Sequence, residues 1–406
     1  MSCLLMQSLK SHPALLFSLS NHFSFSSHSV RSFLSSFSTC QHSKESTSII
    51  DYLNAKFDFS RTQSFYISKR VSSSRFPQNP LSVLSFFKQF GFSEAQILFL
   101  IRHKPQILFT DVDKILRPKI ELFQLLGLER SELCKFISKN SSILTFSLKK
   151  TLVPSVEAIG KILCSEKDFV HVLLRCGRIL PNYKKFMDNV VFLESCGIVG
   201  SHLAMLLKLQ PGIFITRQSI IGDYVSRAVD MGFNENSRML VHAIHSISSL
   251  SYKTFRRKLK LIICFGFSNE EGLQMFRRSP TLLRTSEKKV KVGLEFFLHT
   301  VMLPKSVLVH QPRVLMYSME DRVLPRYRVF QLLIEKKLCK KVPSYIHLLC
   351  LSEEVFLDKY IPHFRENAEE LLKCICFSNK KCLLYIGILK LSISTETTVN
   401  MYENNS

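Results

Sequence analysis

Few residues in this chain have the type and spacing that bond-making chemistry requires. His242 and His245 form an H-x-x-H pair on an apolar helical stretch, where one face of a helix can offer two imidazoles to a metal. No carboxylate or cysteine joins them, so core or surface histidines are the simpler reading. Cys374 and Cys376 are too closely spaced for an ordinary zinc pair. The 12 cysteines show no CxxC pair and no framework spacing, which points to free thiols in a reducing compartment. No Walker, G-x-G-x-x-G, H-E-x-x-H or G-x-S-x-G motif is present. No catalytic residue, metal site or cofactor follows, and an enzyme is not expected.

The chemistry that remains is that of cations. The chain carries 55 Lys and Arg against 32 Asp and Glu, a formal charge of +23, and that excess calls for a polyanionic partner. It is concentrated. Between Leu250 and Tyr345 there are 20 Lys and Arg against 7 Asp and Glu. They fall in clusters: Arg256, Arg257, Lys258 and Lys260; Arg277 and Arg278; Arg284, Lys288 and Lys289; Arg313; Arg322, Arg326 and Arg328. These thirteen are the candidate nucleic-acid-binding residues, with arginine suited to bidentate phosphate contact. The bland alternative is a solvated cationic face that only keeps the protein soluble. The 33 phenylalanines sit mainly at helical core spacing, and no base-stacking platform is read from them.

What must position these cations is a repeat. A glycine followed by an apolar residue recurs at Gly91-Phe92, Gly127-Leu128, Gly197-Ile198, Gly232-Phe233 and Gly266-Phe267, at intervals of 36, 70, 35 and 34 residues. Leu163-Cys164 fills the skipped slot. Glycine suits a helix C′ position, which usually adopts the left-handed conformation. A second marker, in phase with the first, is a proline that stops a short helix before an apolar pair, at Pro105, Pro211, Pro280 and Pro312. Copies at Ile143-Leu144, Ile179-Leu180 and a degenerate Ser249-Leu250 lack it. Ser93, Asn234 and Ser268 read as caps of the next short helix, and Ser268 with Glu271 as a capping box. Pro118 and Pro154 mark the first turn of the long helix or a kink in it. Each unit is therefore short helix, proline turn, long helix, glycine turn. The expected fold is all-α, an α-solenoid of about seven repeats of roughly 35 residues.

A helical repeat of this length and punctuation resembles the mitochondrial transcription termination factor (mTERF) family, plant organellar type. The most specific matches are V-L-M-Y-S-M-E-D-R-V-L-P-R-Y-R-V-F, Val314 to Phe330, and S-E-E-V-F-L-D-K-Y-I-P-H-F, Ser352 to Phe364. The resemblance implies a half-ring solenoid that binds nucleic acid in an organelle and acts on gene expression there. Two departures stand out: the missing proline near Gly177 and Ile247, and a C-terminal stretch from about Lys380 unlike a family terminus.

The expected organisation is a transit peptide over 1–45, a linker over 46–78, an mTERF-like repeat domain over 79–375 and an atypical tail over 376–406. The first 44 residues hold 14 serines, three basic residues and no acid, the pattern of an organellar address. A mitochondrion is placed slightly ahead of a chloroplast. No apolar run approaches the roughly 20 residues needed to span a bilayer, and no membrane partner is expected. The leading expectation is a monomeric protein that binds double-stranded DNA through a basic groove and regulates or terminates transcription. The alternatives are an RNA-binding factor in splicing or processing, and a protein-binding helical scaffold. The scaffold leaves the charge unexplained.

Overall fold

A computed structural model describes residues 49–69, 78–337 and 343–360. The expected transit peptide, the tail over 376–406, and Cys374 and Cys376 lie outside them. Every regular element among the described residues is helical, and seven complete repeats run from Glu94 to Glu335. Their short helices are Glu94–His103, Arg130–Lys139, Glu166–Arg175, Gly200–Leu209, Arg238–Ser248, Asn269–Arg278 and Lys305–His310. Their long helices are Arg117–Leu125, Val153–Ile162, Tyr183–Ser195, Gln218–Asp230, Tyr252–Cys264, Glu287–Glu295 and Leu324–Glu335. In all repeats but the fifth, a 3-10 turn joins the two helices and buries the apolar pair, as with Ile107 and Leu108 or Leu282 and Leu283.

The proline turn follows from local sterics. The residue before each of three prolines is held out of the α region, at φ −140° for Lys104, −147° for Gln210 and −145° for Ser279. Cys176 takes the same φ of −149° before Gly177, so the third repeat keeps the turn without the proline. A Cβ on Gly177 would lie 2.6 Å from the Phe136 ring and 2.7 Å from Asn140, which leaves no room for a larger residue. Pro118 and Pro154 stand two residues past the end of one π-helical turn, Val112–Leu116 and Leu148–Leu152, and Pro325 follows Met319–Val323 in the same way. A proline ring clashes with the carbonyl four residues back, and the wider turn relieves that clash.

All five marker glycines have positive φ, between 79° and 99°. The turn recurs where no glycine announces it, at Asp58 and Met302 (φ 58° each) and Lys337 (φ 49°). The skipped slot is different: Leu163 stays extended at φ −100°. Asp58 closes the helix Ile49–Phe57, which packs against Arg61–Ser68. The continuously described part of the stretch expected as a linker, 49–69, is thus largely helical. Its buried Leu53 and Phe57 are too few to show against a polar background, and Arg102 Nε ties it to the first repeat by donating to the Phe57 carbonyl (3.3 Å).

Repeats are joined by a polar clamp at one position of the long helix. Lys119 Nζ donates to the Leu144 carbonyl, Ser155 Oγ to Leu180 (2.6 Å), Asn189 Nδ2 to Phe214 (3.0 Å) and Lys258 Nζ to Thr285 (2.6 Å). Each reaches the turn of the following repeat and satisfies a carbonyl that the 3-10 geometry leaves open. Gly293 holds the position in the sixth repeat, where a Cβ would approach the Leu315 side chain to 3.1 Å.

Lys119 is 4% exposed, and burial lowers its ammonium from 10.5 to about 8. Between those values the unfolded chain binds more protons than the folded one, so stability rises with pH across the window. Compared with Lys119→Met, the wild-type protein should gain about 2 kcal/mol between pH 7 and pH 10. Urea midpoints of both proteins at each pH check it, and parallel curves would refute it.

The described fold divides into two compact units, residues up to Val225 with Glu235–Val241, and Ser226–Asn234 with His242 onward. The first is filled by aliphatic residues and ring pairs such as Phe123–Phe136 and Phe186–Phe214. The second holds Phe276 edge-on to both Phe233 and Phe255, and Tyr345 packed among Phe297, Tyr327 and Phe330. The Tyr345 hydroxyl donates to the Val323 carbonyl (2.7 Å), and burial pushes its pKa up.

Candidate nucleic-acid interface

Charge is distributed differently on the two kinds of helix. Several short helices obey the peptide dipole, with Glu270 and Glu271 in the first turn of Asn269–Arg278 and Arg277 and Arg278 in the last. Glu94 and Arg102, and Glu166 and Arg175, repeat the arrangement. The long helices of the fifth and sixth repeats place cations in the first turn instead. Tyr252–Cys264 has no acid in its first turn and carries Lys253, Arg256 and Arg257 there or just after it. Glu287–Glu295 carries Lys288 and Lys289 as its second and third residues, and Arg257 engages its one first-turn acid, Glu287, at 2.7 Å. A cation in the first turn opposes the dipole by about 0.3–1 kcal/mol. Folding alone gives no reason for this placement.

The structure separates the thirteen candidates into two groups. Arg256, Arg257, Lys260, Arg278, Arg284, Lys288, Arg313 and Arg328 are exposed, and Lys289 is half-buried. Arg256, Arg257, Lys288 and Lys289 lie in the first two turns of consecutive long helices, Lys260 lies further along the first of these, and Arg284 lies in the turn just before the second.

The other four are tied into the fold. Arg326 is 2% exposed. Its Nη1 donates to the Leu348, Leu349 and Leu351 carbonyls (3.0, 3.1 and 2.7 Å), and its Nη2 to Ser352 and the Glu353 carboxylate. The guanidinium also lies 4.3 Å from the centre of the Phe356 ring. Expected from the sequence as a ligand contact, Arg326 instead terminates the helix Tyr345–Cys350 from inside. Arg322 donates to the Leu349 and Leu351 carbonyls and stacks over Tyr317. Arg277 donates to the Met231 carbonyl beside Gly232 and to Glu270, holding that carboxylate below its usual range. Lys258 is the clamp described above, with its ammonium lowered by burial. Such cations suit helix C-termini, where carbonyls lack partners and the dipole is negative.

Two contacts add to the exposed group. Tyr252 is 60% exposed at the head of its long helix, with the Arg227 and Arg256 guanidiniums 5.2 and 5.8 Å from its ring centre. Arg284 Nη1 lies 3.2 Å from His245 Nδ1. Since Arg284 can only donate, that imidazole nitrogen accepts. His245 is 3% exposed, so the H-x-x-H stretch supports an arginine. Among the described residues no group of three metal-ligating side chains occurs.

The profile of the mTERF family matches residues 41–183, 116–264 and 182–357, three overlapping copies that cover most of the sequence. The chain belongs to the mTERF family. Its sequence is also similar to "Transcription termination factor MTERF8, chloroplastic" of Arabidopsis thaliana, with 22% identity over 254 residues. That alignment covers 60% of this chain and 49% of the relative, so the mTERF chain spans about half the length of the curated relative it matches. Sequence reasoning about this mTERF chain found the basic clusters and missed Tyr252. Neighbouring cations give no signal for it, since Phe255, directly before Arg256, is buried while Tyr252 is exposed.

Proposed function

We propose that this mTERF protein binds double-stranded DNA in an organelle and acts on transcription there, gripping the phosphodiester backbone with the cationic first turns of its long helices. The observation that supports this reading is the charge placement against the helix dipole in consecutive repeats. Side chains used only for solubility have no reason to collect at helix starts. The relative's name, a chloroplastic termination factor, favours the chloroplast over the mitochondrion placed first from the sequence. A fluorescent fusion of the full chain, scored against plastid and mitochondrial markers, decides between them.

The test of binding uses matched duplex DNA, single-stranded RNA and structured RNA across a salt series. Duplex affinity should fall with a steep log–log slope of about 0.9 per phosphate contact. Negligible affinity for all three at low salt would end the nucleic-acid reading.

Tyr252 favours a second reading, in which the ligand is RNA or presents an unpaired base. An exposed ring with arginines beside it can stack a base while the guanidiniums take phosphates. On that reading Tyr252→Ala weakens single-stranded binding by about 1–3 kcal/mol, Tyr252→Phe restores it, and duplex affinity is unchanged. Equal losses on both ligands would favour the duplex reading.

A further inference from the structure

Sequence clustering drew the interface around residues 250–345, but the lysine pair at the second and third residues of a long helix also occurs earlier. Lys149 and Lys150 are the second and third residues of the π-helical turn Leu148–Leu152, through which the second repeat enters its long helix. Lys184 and Lys185 are the second and third residues of the long helix itself in the third repeat, 35 residues on. They correspond to Lys288 and Lys289 of the sixth repeat, and all four are exposed. Neither first turn contains an acid. In the third repeat Lys185 borders a groove of about 600 Å³, formed by Tyr183–Ser195 and the turn leading into Gln218–Asp230. Lys185 lines it from the helix and Arg217 from the turn, with Thr216 and Gln218 between polar neighbours of both. The Thr216 hydroxyl donates to the Gly212 carbonyl and the Gln218 amide to the Asp188 carbonyl, which holds the turn against the helix. Asp188 supplies a carboxylate to the lining, one negative charge facing two positive ones. Lys150, Lys184, Lys185 and Arg217 make no side-chain hydrogen bond or ion pair among the described residues. The groove is open and polar, unlike the largely apolar pockets that enclose small molecules.

We infer that this face of the first unit is a second phosphodiester-binding surface, with Lys150, Lys184, Lys185 and Arg217 contacting backbone phosphates. The inference rests on the nucleic-acid reading above and extends it to a unit that the clusters at 250–345 leave out. In-phase positions on successive repeats repeat along one face, so a linear polyanion fits them better than a compact acidic ligand does.

The test compares two full-length variants of equal charge. One changes Lys150, Lys184, Lys185 and Arg217 to Gln. The control changes the exposed Lys135, Lys139, Lys161 and Lys167 to Gln, all in the same unit but away from the first turns of long helices. On duplex DNA the first variant should lower the salt slope by up to about 3.6, and the control by less than about 1. Thermal midpoints of both should match the wild type, since no fold contact is removed. If the first variant melts early, Lys184→Gln with Lys185→Gln replaces it, with an expected fall of about 1.8. Equal slopes for variant and control would overturn the inference, as would a wild-type slope in the variant. A wild-type protein that binds no nucleic acid overturns the functional reading itself, a distinguishable failure.

Discussion

Replacing Arg326 by methionine should lower the stability of this protein by about 3–5 kcal/mol, the usual cost of removing one partner of a buried, fully bonded charge. The replacement leaves the Leu348, Leu349 and Leu351 carbonyls without their donor, and Glu353 without its ion pair. Methionine fills much of the volume over Phe356, so the loss reports hydrogen bonding more than a cavity. Arg326→Lys should rescue little, because a single ammonium cannot span carbonyls from Leu348 to Leu351 and still reach Glu353. Arg328→Ala, two residues along and exposed, should change stability by less than about 0.5 kcal/mol. Chemical denaturation of the three variants measures the difference. Indistinguishable midpoints for Arg326→Met and Arg328→Ala would show that the buried network is not needed.

The complementary result concerns binding. Changing Arg256, Lys260, Lys288 and Arg328 together to alanine should leave the thermal midpoint in place and lower the salt slope on duplex DNA by up to about 3.6. Affinity near 0.15 M salt should fall on the order of 10³-fold, because that is what four lost counterion-releasing contacts amount to at that concentration. The matching loss on single strands is smaller, up to about 2.8 in slope, so the ratio of the two also bears on the preferred ligand. A variant that keeps the wild-type slope would move the site off these four residues. Arg322, Arg326 and Arg328 form one cluster in the sequence, yet their joint replacement mixes two effects. The first two are folding residues, and only Arg328 is left to report on ligand.

That contrast shows what a sequence can and cannot reveal here. The glycine turns were legible because glycine alone enters the left-handed region without strain, and all five have positive φ. The same turn at Asp58, Met302 and Lys337 was invisible, since nothing in those residue types announces it. Pro118 and Pro154 located the entrance to the long helix but not its π-helical turn, because a proline tells only that a carbonyl four residues back must move away. The inter-repeat clamp could not be read at all. Lys119, Ser155, Asn189 and Lys258 share a job and no chemistry beyond a donor. For the site, local charge excess was legible, while the direction of each cation was not. An arginine that ends a helix from inside and one that faces water look alike in one dimension.

The lysines at the long-helix starts bear on the free protein as well as the bound one. Ser251 and Ser286 cap the amides of Thr254 and Lys289, but the N–H groups before them carry the same sign as Lys253 and Lys288, so the unliganded helix is most prone to fray at the residues meant for contact. A phosphate arriving there removes the repulsion as it binds, and local order and occupancy become a single equilibrium. Ligand should therefore slow amide exchange at Lys253 and Lys288 first, before it reaches the turns on the far side of each repeat. In that sense the polyanion completes secondary structure that the chain leaves unfinished.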